Sequence, residues 1–232
     1  MAWYHLWFIV LSLEEDYSCG SGGCNTKPLG LALMVEVPLF PLKLVLFNRS
    51  LFELEIFEPR YLKMVSVALA NESGIGIVYL ASGSEVYKNS DDSIELAKIG
   101  TLSSIKHTEV VDESRIRIVV EGGAKFRVLS TWTEDDRLNM GLVDILRDDA
   151  KLPLRTKDEE LAQMFDQLNE FRNAEGHPKM TLENNNASAL SFRLAEMLPM
   201  AMEFRQTLLE LDDPYRRLDR IQRWVQNEKR RD

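Results

Sequence analysis

The chain has 232 residues, 45% of them hydrophobic and 28% charged, which is enough to bury a full core and matches an ordinary globular composition. Its net charge of −9 is spread evenly, with −2 over residues 1–33, −4 over 34–155 and −3 over 156–232. No segment carries the basic footprint of a phosphate-backbone binder, so nucleic-acid binding is disfavoured. With only Cys19 and Cys24, and His5, His107 and His177, neither a disulfide framework nor a four-ligand zinc site is expected, and no metal or cofactor is assigned.

The chain opens on its most apolar run, AWYHLWFIVLSL over residues 2–13. That run is too short to cross a bilayer as a helix, and no Lys or Arg precedes Lys27, as a signal peptide would require. It also lacks the basic face of a membrane-surface helix. The Gly/Ser-rich tract SCGSGGCNTKPLG follows without periodicity, so residues 1–33 are expected to form a disordered leader, with Met34 the natural start.

Order begins with VPLFPL (37–42), VLF (45–47) and IFEPRY (56–61). Pro38 and Pro41 cannot donate to a ladder, which predicts an edge or bulged strand. Pro59 suits the first turn of a helix, and Tyr61, Leu62, Val65, Ala68 and Leu69 then fall on one stripe, predicting a helix over 58–71. Glu58 is placed to cap that helix, and Arg60 either pairs an acid at the junction or clamps a carboxylate or peptide carbonyl.

A buried strand is predicted at 74–80, a polar turn over 82–93, and a strand from Ile99 to Ile105 with a half-buried His107 near its end. Asp112-Glu113-Ser114 turns the chain. Residues 115–121 and 125–128 alternate around Gly122-Gly123, which predicts a tight hairpin, because primed turns need positive φ. A last strand is expected over 138–146. The acid pairs Asp135-Asp136 and Asp148-Asp149 are read as turn residues. The fold class is α+β: a strongly bent antiparallel sheet or half-open barrel with one early helix, then a helical bundle.

Near Pro153 the period changes from two to 3.6. Leu161, Met164, Phe165, Leu168 and Phe171 define a helix ended by Gly176 and Pro178. After Glu183-Asn184-Asn185-Asn186, a second helix turns Leu190, Leu194, Met197 and Leu198 inward and stops at Pro199. A third covers 202–211. Asp212-Asp213-Pro214 starts the last, with Leu218, Ile221 and Val225 inward and Arg216, Arg220 and Arg223 on a solvated face. The division expected is 34–150, a β-rich subdomain, and 151–232, a helical one.

No G-x-x-x-x-G-K-[ST] phosphate loop, G-x-S-x-G elbow or H-E-x-x-H helix occurs, so no catalytic residue is assigned. In order, VPLFPL, VLF, IFEPRY, Gly100-Thr101, EGGAKFRV (121–128), LSFRLAEMLPM (190–200) and LLELDDPYRRL (208–218) resemble the Lon N-terminal, substrate-recognition domain in its stand-alone bacterial form. Where that family has Pro-Gly after the VLF strand, this chain has Asn48-Arg49-Ser50, themselves good turn formers.

The resemblance implies a non-catalytic, cytoplasmic polypeptide-binding domain that takes unfolded or apolar segments, without Lon's ATPase and peptidase modules. Phe47, Phe57 and Tyr61 are the candidates for lining an apolar groove between the subdomains, each with a core position as the alternative, and Arg60 is the fourth candidate for peptide binding. The β part is also similar to PUA-like folds. The alternative is therefore an RNA-binding module, with Lys106, Arg115, Arg117, Lys125 and Arg127 as its basic patch.

Overall fold

A computed structural model describes residues 33–83, 94–182 and 186–230. The expected leader up to residue 32, most of the 82–93 turn and residues 183–185 lie outside them. In chain order the elements are β1 (Leu33–Leu42), β2 (Leu51–Ile56), α1 (Pro59–Ala70), β3 (Ile75–Ser82), β4 (Glu95–Asp112), β5 (Arg115–Thr133) and β6 (Asn139–Ile145). A short 3-10 turn, Thr156–Asp158, leads into α2 (Glu159–Ala174), α3 (Ala187–Met197), α4 (Met202–Leu209) and α5 (Pro214–Glu228).

The strands form one six-stranded sheet in the order β2-β5-β4-β3-β1-β6, and β6 also pairs with β5 along 126–133. The α+β class holds, but the sheet is mixed where an all-antiparallel one was expected. β1 and β3 run parallel, with Leu39 opposite Gly76 and Leu42 opposite Tyr79. Parallel neighbours need a long crossover, and β2 with α1 supplies it. Nor is β1 an edge strand, since it pairs β6 over 33–39 and β3 over 39–42. Each proline stands where only one neighbour is paired, Pro38 opposite Met140 and Pro41 opposite Val78. A donor can therefore be missing without breaking two ladders at once.

The expected hairpin at Gly122-Gly123 is not formed, because β5 runs straight through both glycines. Among the described residues the positive-φ glycines are Gly83 and Gly176, so this pair is not in a primed turn. Its reason is close approach. A Cβ at Gly122 would stand 2.1 Å from the Phe47 carbonyl oxygen. The loop before β2 is laced to that spot: Arg49 N donates to Gly122 O (2.6 Å), Gly122 N to Ser50 O (2.9 Å), and Asn48 Nδ2 to Gly123 O (3.1 Å). The real β4–β5 turn is at Glu113-Ser114, where Asp112 Oδ1 accepts from Ser114 N. His107, expected to be half-buried, is exposed beside a register shift between Ile105 and His107.

Three cores follow from this arrangement. Tyr61, Met64, Val65 and Ala68 of α1 pack on Ile56, Ile118 and Val120 of the sheet. Leu39, Val78, Phe126 and Val143 fill a second layer. The helices enclose the largest core, which Phe47 and Ile99 enter from the β side. In α5 the cap is Asp213, whose carboxylate accepts from Tyr215 N at 2.8 Å, and Leu218, Ile221 and Val225 are buried.

Candidate functional site

At the β2–α1 junction, Glu58 is the N-cap with extended backbone, but its carboxylate makes no cap bond. It accepts instead from Arg60, at 3.0 Å from Nε and 2.8 Å from Nη2. Arg60 Nη1 donates to the Arg137 carbonyl (3.0 Å), and the guanidinium lies 4.3 Å from the Tyr61 ring centroid. Arg60 thus ties the start of α1 to the β5–β6 turn. Tyr61 stacks on Phe40 with ring centroids 4.2 Å apart, and Phe47 lies against Phe192 at 5.5 Å. Phe47, Arg60 and Tyr61 are buried, whereas Phe57 is 54% exposed.

Phe57 is one of several exposed large apolar side chains. Leu51 and Phe52 of β2, Val67 and Leu69 of α1, and Val110 and Val111 of β4 are all exposed. Ile56, Ile116 and Val110 form one row across three strands, and exposure along it rises from 2% at Ile56 to 74% at Val110. The α1-backed apolar layer therefore continues past the helix into solvent.

The junction between sheet and helices holds a cleft of about 220 Å³, lined by Asn48, Arg49, Lys125, Asp149, Ser188 and Phe192 among others. This cleft has a mixed polar and apolar lining, and Phe47, Phe57, Arg60 and Tyr61 are not among the residues that line it. Under its floor Arg217 Nη2 donates to Asp149 Oδ2, while Lys125 Nζ is 3.1 Å from Asp149 Oδ1 and 3.0 Å from Asp212. Arg217 also donates to Ser191 Oγ (2.7 Å) and the Leu211 carbonyl (2.6 Å), and it lies 3.8 Å over the Phe192 ring. Burial pushes the Arg217 pKa down from its ordinary value, opposed by the Asp149 charge.

Asp149 is consequently no turn acid. Its carboxylate is almost fully buried and joins β5, the segment after β6 and α5. Sequence reading missed Arg217 too, although a signal existed. At 100° per residue Arg217 lies about 40° from Ile221 and so on the buried face of α5, not with Arg216 and Arg220.

The cleft's chemistry is that of holding, not cleaving. Ser188 Oγ donates to Asp149 Oδ2 (2.9 Å), but that carboxylate is already held by Arg217 and Lys125, and no imidazole lines the cleft. Among the described residues no cluster of His, Cys, Asp and Glu could hold a metal ion. The expected basic patch is largely neutralised: Lys106 pairs Glu121, Arg115 pairs Glu55 and Asp112, Arg117 pairs Glu53 and Glu109, and Lys125 is taken by Asp149 and Asp212.

The fold thus defines an α+β module in which a mixed six-stranded sheet packs against helices, with several large apolar side chains exposed. Residues 36–227 match the ATP-dependent protease La (LON) substrate-binding domain, and the chain belongs to that family. It resembles the non-catalytic, substrate-recognition part of Lon proteases.

A Lon N-terminal domain protein from Xanthomonas campestris superposes with a TM-score of 0.66 at 27% identity, covering 82% of this chain and 98% of that one. The N-terminal domain of a Mycobacterium avium complex Lon protease gives 0.56 at 14% identity over the same shares, which speaks for the fold alone. Lon protease 1 of Bacillus subtilis (strain 168) is 23% identical over 202 residues, 84% of this chain. The chain spans a quarter of that relative's length.

Proposed function

We propose that this domain holds exposed apolar or unfolded polypeptide segments without acting on them chemically. The observation that carries the reading is the apolar row running out from under α1 to Val110, with Phe52 exposed on the same face of β2. Phe57, just past β2, is exposed and is a further candidate contact; Tyr61 lies in the core under α1 and Arg60 ties that helix to the Arg137 carbonyl, while Phe47 belongs to the helical core. Family membership supports the choice of polypeptide as ligand. The paired cations give no support to RNA as the alternative.

On this reading residues 34–150 and 151–232 are the two subdomains, and the partner is met in the cytoplasm. No described helix is long and apolar enough to cross a membrane. The β5–β6 pairing supports a strongly bent, half-open barrel form for the sheet. Titrating the full chain against a fluorescent, permanently unfolded polypeptide is expected to give a Kd of about tens of micromolar or tighter. No binding in that range overturns the reading.

A further inference from the structure

The outer edge of β2 has an orientation that can be worked out from its ladder. Gly122 N donates to Ser50 O, which makes 50 and 122 a hydrogen-bonded pair across β2 and β5. Such pairs alternate with non-bonded ones in an antiparallel ladder. With Phe52 opposite Val120, Leu54 opposite Ile118 and Ile56 opposite Ile116, these three residues continue the bonded series. The N–H and C=O groups of Leu51, Glu53 and Glu55 therefore point away from β5. Among the described residues β2 pairs with no other strand, and Leu51, Phe52, Glu53 and Glu55 are exposed.

The two faces beside this edge differ. Phe52, Leu54 and Ile56 share the α1-backed apolar face with Val120 and Ile118. Leu51, Glu53 and Glu55 share the opposite face, where the Glu53 and Glu55 side chains are 66% and 43% exposed. Their pairs with Arg117 and Arg115 are surface pairs, weak enough to exchange for another cation.

We infer that polypeptide segments dock by strand addition on this edge. An extended backbone bonds to residues 51, 53 and 55, and the segment alternates apolar side chains toward Phe52 and Leu54 with lysine, arginine or neutral polar ones toward Glu53 and Glu55. The inference rests on the polypeptide-binding reading and adds its location, its conformation and its side-chain pattern. Main-chain bonding gives affinity without fixing a sequence, and alternate side chains supply the selectivity.

The probe is a short fluorescent peptide in which valine and phenylalanine alternate with lysine and threonine, titrated against the full chain. Two further versions carry N-methyl groups on alternate peptide nitrogens, in one phase or the other. Strand addition presents only one edge of the peptide, so one version is expected to bind like the parent and the other about ten-fold more weakly or worse. Equal affinity of the two overturns the proposal.

Glu53→Pro removes an outward donor and leaves the β5 ladder intact, as edge strands tolerate. It is expected to weaken the parent peptide about ten-fold while the circular dichroism stays native. A folded Glu53→Pro variant that binds normally overturns the proposal, and if the variant does not fold, the methylated pair on the wild-type chain decides alone. A dimer in solution that Glu53→Pro dissociates would make the edge an interface between copies and also overturn it. Binding of a long unfolded polypeptide but not of this peptide overturns strand addition alone, whereas binding of neither overturns the polypeptide reading as well.

Discussion

Replacing Asp149 with alanine strips the counter-charge from two buried cations at once. The Arg217 side chain is fully buried and Lys125 nearly so. In the variant Arg217 keeps the Leu211 carbonyl and Ser191 Oγ, and Lys125 keeps the Leu211 carbonyl (3.2 Å) and the Asp212 carboxylate. Arg217 retains hydrogen bonds and the field of Asp212 and Asp213 but no hydrogen-bonded carboxylate. Breaking a buried pair in this way costs about 3–5 kcal/mol, and the retained Asp212 contact of Lys125 argues for the lower end. At about 2–4 °C per kcal/mol for a chain of this size, the melting temperature is expected to fall by about 6–12 °C.

Urea unfolding followed by circular dichroism is the assay, with the midpoint falling and the slope unchanged. Lys63→Ala, which removes the exposed partner of Asp136, is the control, with an expected loss of about 0–1 kcal/mol. Arg217→Met leaves Asp149 paired to Lys125 and should lose less than Asp149→Ala, since it buries no orphan charge. A loss for Asp149→Ala no larger than that for Lys63→Ala would mean that water reaches the cluster, and the reasoning fails.

Gly122→Ala brings a methyl to within 2.1 Å of the Phe47 carbonyl oxygen, a backbone atom held in place by the Arg49 and Ser50 bonds. A loss of about 2–3 kcal/mol is expected, and a variant melting within a degree of wild type would refute the close-approach reading of β5. The Asp112 carboxyl should titrate at about 2, below its ordinary 3.8, because the Ser114 N–H and then the Arg115 guanidinium stabilise its charged form. A depressed pKa means that its contribution to the β4–β5 turn is complete above about pH 4 and fades as pH falls toward 2. Side-chain carbonyl NMR across that range checks it, and titration near 3.8 would show that the turn is not closed.

Helix boundaries were legible because their signals are local. Pro59, Asp213-Pro214 and Pro199 act through φ restriction and missing donors within one turn of chain, and α1, α3 and α5 begin or end where those residues direct. What could not be read depends on distant chain. Gly122-Gly123 has the composition of a hairpin turn, and nothing within ten residues distinguishes a turn from a strand grazed by another backbone. The grazing loop lies 75 residues away, as the Asn48–Gly123 bond measures. Asp149 looks like half of a loop acid pair until Arg217, 68 residues on, is folded against it. The parallel β1–β3 pair was open to inference, since β2 and α1 between them make a crossover long enough. The mixed lining of the inter-layer cleft was not, because it arises from residues on several separate segments.

These misses share a direction that bears on function. Arg60 is offered by the sequence as a ligand clamp and Lys125 as part of a basic patch, and both, like Asp149 and Arg217, are spent on the fold's own seams: α1 to the β5–β6 turn, and β5 to α5. A charged group satisfied at 2.6–3.2 Å by internal partners has little to gain from a ligand and would strand its partner by leaving. Among the exposed features are an apolar row and a strand edge, neither of which demands one particular sequence. Such a surface discriminates by conformation, because a folded protein has its apolar side chains and strand edges already covered, and only an extended segment presents both together. On the proposed polypeptide-binding reading, selectivity for unfolded chain follows from where this domain has placed its charges.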